Sequence, residues 1–216
     1  MTKISRQATN DFCPQTLFLY GTYTEDKTPD FGLFCWFSYC WDGELGAMMC
    51  IGGEKLKKDL IKAGNVFSAN LVTEKLLPMA DYLGNKSGYD RDKMNFNVDI
   101  GKGKVLDVPI LTESPVNFEV EVTRSIPLDD GEVFLCRIRN VLYNEELADE
   151  KILVGERLRK IAPISTTCNT YFSYTGEVLG AWGEPGKLFL EKSKTPPQAA
   201  EHQSSGCLNR FTEFPC

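Results

Sequence analysis

The sequence predicts a mainly β protein: an antiparallel barrel carrying a few short helices. Three observations predict it. Between Thr16 and Ile51 the chain runs through short, aromatic, nearly unbroken apolar segments separated by turn signals. Between Val116 and Ile138 apolar and polar residues alternate on either side of an acidic turn. Helical spacing occurs only in short stretches set singly among the strands, which favours an antiparallel barrel over a βαβ layer.

Residues 1–15 read as an arm, residues 16–190 as the barrel domain and residues 191–216 as an extension. TLFLYGTY, FGLFCWFSYCW and LGAMMCIGG follow the arm, punctuated by Thr28-Pro29-Asp30 and Asp42-Gly43. Their continuous apolar character suits strands buried on both faces. Glu54 to Lys62 has helical spacing, with Leu56, Leu60 and Ile61 as its stripe, lysines outward and Gly64 as its C-cap. Phe67 to Val72 is a strand. A second helix runs from Thr73 to Leu83, limited or bent by Pro78. Val116, Phe118, Val120 and Val122 form one half-buried strand. Asp129-Asp130-Gly131 turns the chain, and Phe134, Cys136 and Ile138 form the return strand of a long hairpin. Glu156 to Ile161 is a short helix or a loop. From Leu190 the chain turns polar and aperiodic, an extension that is flexible or draped over a partner.

The chain has 216 residues, is 42% hydrophobic and 25% charged, and carries a net charge of −6, the composition of a globular protein with a sizeable core. That charge argues against nucleic acid and anionic membranes as partners. There is no apolar leader and no apolar run of the ~20 residues a membrane helix needs, so the expected location is cytoplasmic. The eight cysteines form no CxxC pair, and most sit among apolar neighbours, where a thiol acts as a small hydrophobe.

The residue inventory removes much chemistry. The sole histidine, His202, falls in the tail, which disfavours a histidine triad or a histidine metal site. No GxGxxG follows a strand and no P-loop is present. Asp90-Arg91-Asp92 starts like a calcium loop, but Met94 stands at the next ligand position. A protein short of catalytic acids and bases can still run redox chemistry through a cofactor.

Four constellations remain. Gly52-Gly53-Glu54-Lys55-Leu56-Lys57-Lys58 joins a glycine turn to a lysine-bearing helix start, where free amides and ammonium groups hold a phosphate; the plain alternative is a solvated charged face. The strand from Phe34 to Trp41 offers small side chains, Ser38 and Cys40, beside a backbone able to meet the rim of a flat aromatic ring, or else it packs a core. In Ser68-Ala69-Asn70 the amide can bond a ring carbonyl or tie two strands together. Asp92-Lys93 follows the Ser87-Gly88 turn, and Lys93 faces the phosphate or the cofactor mouth, or else makes a surface ion pair worth little.

DLIKAGNVFSANLV (Asp59–Val72), SGYDRDKM (Ser87–Met94) and YFSYTGEVLGAWGEPG (Tyr171–Gly186), in this order across Gly21 to Gly186, resemble the flavin reductase-like (flavoredoxin) family of FMN-binding split barrels. The resemblance implies a Greek-key split β-barrel that pairs as a homodimer, with FMN near the interface. It implies reduction of flavin by NAD(P)H, or passage of electrons from a protein donor through bound FMN. By the same resemblance Trp36, Phe37 and Ser38 would meet the ring, Cys50 and Ile51 the ribityl chain, and Ser68 and Asn70 the ring-side strand. Lys55 falls where relatives often carry a phosphate-binding Arg, and Lys93 at their Asp-Lys. Where many relatives have Arg-x-Thr, this chain has Lys55-Leu56-Lys57: the charge is kept and the hydroxyl is gone. The rival readings are a non-catalytic flavin carrier or sensor built on the same barrel, and a thiol-redox protein using Cys35 and Cys40. Their spacing places those two side chains on opposite faces of a regular strand.

Overall fold

The computed structural model describes residues 2–187 other than 6 and 182. Among the described residues, those up to 177 form one compact unit and those from 178 to 187 belong to a second. The expected extension at 191–216, with His202, Cys207 and Cys216, lies outside the described residues.

The first unit is built on a seven-stranded antiparallel sheet. In chain order the strands are β1 (Gln15–Thr16), β2 (Phe18–Tyr23), β3 (Pro29–Phe34), β4 (Phe37–Trp41), β5 (Leu45–Gly52), β6 (Val66–Leu71), β7 (Ile100–Lys102), β8 (Pro109–Leu111), β9 (Val116–Leu128), β10 (Gly131–Tyr143), β11 (Ser165–Thr167) and β12 (Thr170–Phe172). The helices are α1 (Leu56–Gly64), α2 (Leu77–Asn85) and α3 (Val154–Ile161). The large sheet runs β3-β2-β6-β9-β10-β5-β4, while β7-β8 and β1-β11-β12 form small separate sheets.

The apolar run predicted as one segment from Phe31 to Trp41 is two strands, and the break closes the barrel. β3 and β4 stand at opposite ends of the strand order, yet only Cys35 and Trp36 join them. The sheet must therefore curl until its edges meet. The Phe37 amide donates to the Cys35 carbonyl (2.8 Å), and the Cys50 amide donates to the Trp36 carbonyl (3.0 Å). Inside the seam Phe18, Phe34 and Phe37 pack with centroids 5.0–5.7 Å apart, a spacing that favours tilted and edge-on aromatic contacts. Cys35 thus lies in the corner and Cys40 beyond it in β4, and the alternation of a single strand does not relate them.

Burial on both faces explains the unbroken apolar runs. Phe18 and Tyr20 of β2 join the barrel core with Met49, Phe67, Val120 and Phe134, while Leu17 and Leu19 join a second core with Leu76, Ala80 and Leu83 around α2. Pro78 sits in the first turn of α2, where its missing N–H costs nothing, so it starts the helix and does not bend it. α1 begins at Leu56, not Glu54, and its left-handed cap is Asn65, not Gly64. The long hairpin of β9 and β10 is as predicted, except that the polar residues Asn117 and Glu119 on the outer face of β9 are buried. β8 and the loop preceding it lie over them: Asn117 donates to the Leu111 carbonyl (3.0 Å), and Glu119 accepts from the amides of Lys104, Val105 and Leu106. The stretch at 156–161 lies in α3.

Candidate functional site

Two adjoining clefts open along the seam. The first, about 230 Å3, has Tyr20, Lys57 and Lys93 among its lining, with Lys55 and Leu56 at the start of α1 and the segment Leu83–Tyr89 completing it. The second, about 180 Å3, is lined by Cys35, Trp36, Cys50, Ile51 and Gly52. Tyr20, Leu33 and Lys55 line both.

The local sequence dictates this shape. α1 has no side-chain cap at Lys55, so its first amides are free. Gly53 takes a positive φ of 67°, the turn that brings β5 into the helix. Gly88 approaches α1 so closely that a Cβ there would lie 2.9 Å from Leu56 Cβ. A series of tight turns then carries the chain back, the Lys93 amide donating to the Asp90 carbonyl (3.1 Å).

Lys57 and Lys93 are not on the surface. They are 2% and 3% exposed, and both reach Asp30 of β3, itself 6% exposed. The Lys57 ammonium pairs with Asp30 Oδ2 and donates to Thr22 Oγ1 (3.1 Å), while Lys93 Nζ lies 3.3 Å from Asp30 Oδ1. The expected outward lysine face of α1 is corrected here: the helix turns Lys57 inward beside Ile61 because a buried carboxylate waits for it. Burial pulls the Lys57 amine down to about 7; Asp30 opposes that shift and Lys93 adds to it. Burial, reinforced by Asp30, lifts the Tyr20 phenol well above its ordinary value.

The structure therefore gathers Lys55, Lys57 and Lys93 at one end of the groove and Trp36, Cys50 and Ile51 at the other. Phe37 and Ser38 share a further depression with Trp36, Met48 and Cys50; Phe37 itself is turned into the barrel core, and Ser38 is exposed. Ser68 and Asn70 do not join the groove. Both are fully buried, and the Asn70 amide donates to the Leu19 carbonyl (2.8 Å) and accepts from Asn117 (2.7 Å) and the Leu111 amide (3.0 Å). Ser68 donates to the Pro109 carbonyl. Of the two roles open to Asn70 in the sequence, tying strands together is the one its bonds serve. Asp30 and Tyr20 went unnoticed in the sequence. Asp30 read as a turn residue, and its signal was a carboxylate set against the apolar run of FGLF.

A family model, the flavin reductase like domain, matches residues 11–162. The chain belongs to this flavin reductase-like family. No curated protein matches it by sequence. Among solved structures, flavoredoxin of Desulfovibrio vulgaris (Miyazaki F) aligns with a TM-score of 0.76 at 23% identity, over 86% of this chain and 100% of that one. An FMN-binding protein from Thermus thermophilus aligns at 0.68 and 18%, over 84% and 100%. Nitrilotriacetate monooxygenase component B from Bacillus cereus aligns at 0.71 and 15%, over 84% and 98%. The fold of this flavin reductase-like chain is that of the split barrels. Among the described residues no cluster of His, Cys, Asp and Glu could hold a metal ion, the cysteines are free, and no helix is long and apolar enough to cross a membrane.

Proposed function

We propose that this chain is an FMN-binding flavoprotein oxidoreductase. One observation carries the reading: three lysines converge on a cleft that adjoins the seam at Trp36 and Cys50, in a chain of the flavin reductase-like family. The residues present fit FMN. Lys57 and Lys93 are buried ammonium groups with donors to spare: of three N–H each, Lys57 uses two and Lys93 one within the fold. The free first amides of α1 and exposed Lys55 complete an anion site beside them. Gly52 lines the second cleft with bare backbone.

In this reading Lys55, Lys57 and Lys93 hold the phosphate, Cys50 and Ile51 lie along the ribityl chain, and Trp36 and Ser38 flank the ring. When bound, FMN supplies the hydride or electron transfer. The protein's part is to bind, to orient and to shield; no acid or base is assigned. The names of the structural neighbours, a flavoredoxin and a monooxygenase component, support a redox role; the donor we assign is NAD(P)H or a protein. The outer face of β5, β10 and β9 supports pairing into a homodimer beside the ring: Trp36 (54%), Met48 (44%) and Ile126 (40%) are exposed there, next to half-buried Val133 and Leu135. We place the protein in the cytoplasm, without nucleic acid or membrane.

The test is the visible spectrum of protein incubated with FMN and freed of excess. Retained flavin bands that bleach on addition of NADH or NADPH are expected of a reductase. Retained bands that bleach only with a protein donor define an electron carrier. A colourless protein contradicts the reading.

A further inference from the structure

The floor of the phosphate end contains a feature the FMN reading does not require: a buried carboxylate between the two buried lysines. We propose that Asp30 is a positioning residue that gathers Lys57 and Lys93 into one buried floor, and that a dianionic phosphate entering this floor draws a proton onto Lys57, which leaves the floor with one positive charge in excess. The proposal rests on the FMN reading of the cleft and deepens it.

The geometry supports it first. Asp30 divides its oxygens, Oδ2 to Lys57 and Oδ1 to Lys93. The two ammonium groups hold the carboxylate, and no backbone amide does so among the described residues. Its two lysines come from different elements, α1 and the loop following α2, so Asp30 fixes the distance between them. Without it, two ammonium groups in one buried site would repel each other. With it, the spare N–H groups of both lysines are the strongest buried donors lining the cleft.

The groups facing Lys57 determine how it titrates. β2 presents Thr22 and the Tyr20 phenol, β3 presents Asp30, and the 87–95 loop presents Lys93. Glu54, Lys55, Lys86 and Tyr89 line the same cleft. None of these carries an imidazole. Burial leaves the Lys57 amine near 7, so around neutral pH the ligand-free floor is a mixture of protonated and neutral amine. A dianion beside it favours the ammonium form, and binding then draws a proton from solvent.

Inorganic sulfate is the suitable probe, because it remains a dianion across the range. Its affinity is measured by calorimetry at pH 6 and pH 8 on the whole protein. If one proton is taken up, affinity falls about tenfold from pH 6 to pH 8. In Lys57→Met, which removes the titrating amine and keeps the bulk, affinity is lower and level with pH. In Asp30→Asn, Lys57 loses its counter-ion and the midpoint of the profile moves to lower pH, a change that a merely structural aspartate would not cause. Equal sulfate affinity at both pH values, an unchanged slope in Lys57→Met, or no sulfate binding overturns the proposal. The two readings separate cleanly: retained FMN with a flat sulfate profile sinks proton uptake and leaves the flavoprotein, whereas a sloped sulfate profile without retained FMN sinks the flavoprotein and leaves the anion site.

Discussion

Three carboxylates of the unit are buried, Asp30, Glu119 and Glu132, and the first two are satisfied in opposite ways. Glu119, fully buried on β9, accepts from the amides of Lys104 (2.8 Å), Val105 (2.8 Å) and Leu106 (2.6 Å) and from the Asn140 side chain (2.7 Å). Burial pushes its carboxyl up, but the Asn140 bond and the three backbone bonds together outweigh this and hold it below its usual range. Asp30 has no such amides; it has two lysines. Glu119 is closed: its donors are three backbone amides and the Asn140 side chain, and it pins one loop. Asp30 is open: its partners are side-chain ammonium groups with donors left over, lining a cleft. The closed carboxylate serves the fold, and the open one beside a cleft is the one our proposal assigns to binding.

Asp30→Asn should have the largest effect. It leaves two buried cations without their counter-ion, a change of about 3–5 kcal/mol when one partner of a buried pair is removed. Urea unfolding in anion-free buffer measures the loss, and added FMN should recover more stability than it gives the wild type. Equal recovery in both would erase the distinction between the two carboxylates.

Glu119→Gln should cost about 2–3 kcal/mol, because charge-assisted bonds are replaced by fewer neutral ones. FMN should recover no more stability here than in the wild type. The pH dependence sharpens the contrast. Glu119 titrates lower in the folded chain than in the unfolded one, so its contribution is complete above the unfolded value of about 4.3 and is lost as pH falls through the folded value. Acid unfolding of the variant should therefore be shallower. Lys57 has the reverse linkage. Its folded value near 7 lies below the unfolded value of about 10.4, so the unfolded chain holds more protons between them and ligand-free stability rises with pH across that window. Lys57→Met should flatten that rise.

The smallest effect on the fold should come from Lys55→Ala. Lys55 is exposed and makes no ion pair among the described residues, so stability should change by no more than about 0.5 kcal/mol. FMN affinity should nonetheless fall about tenfold, the loss of one charged contact to phosphate. A variant that binds FMN as wild type would remove Lys55 from the site.

The barrel was legible because local pattern determines it: runs buried on two faces, a long hairpin and short helices. What escaped was the consequence of long-range contact. The corner at Cys35 and Trp36 is invisible in an apolar run, since closure depends on which strands meet. Asn117 and Glu119 read as an outward polar face because nothing nearby announces that β8 and its preceding loop will cover them. Lysines normally face water, so Lys57 looked like surface; only Asp30, 27 positions earlier in the chain and buried in β3, accounts for its burial. Ser68 and Asn70 fell in the right strand, but their bonds serve the cover over it. The lysines of the site were identifiable by type and spacing, and the carboxylate that arranges them was not.

The most direct measurement compares FMN with riboflavin, which differs only in lacking the phosphate, by titration of the purified protein at pH 6.5. If the lysine floor holds the phosphate, FMN should bind at least about tenfold more tightly, as one or more charge-assisted bonds require. Equal affinity for the two, or binding of neither, would contradict the assignment of this cleft.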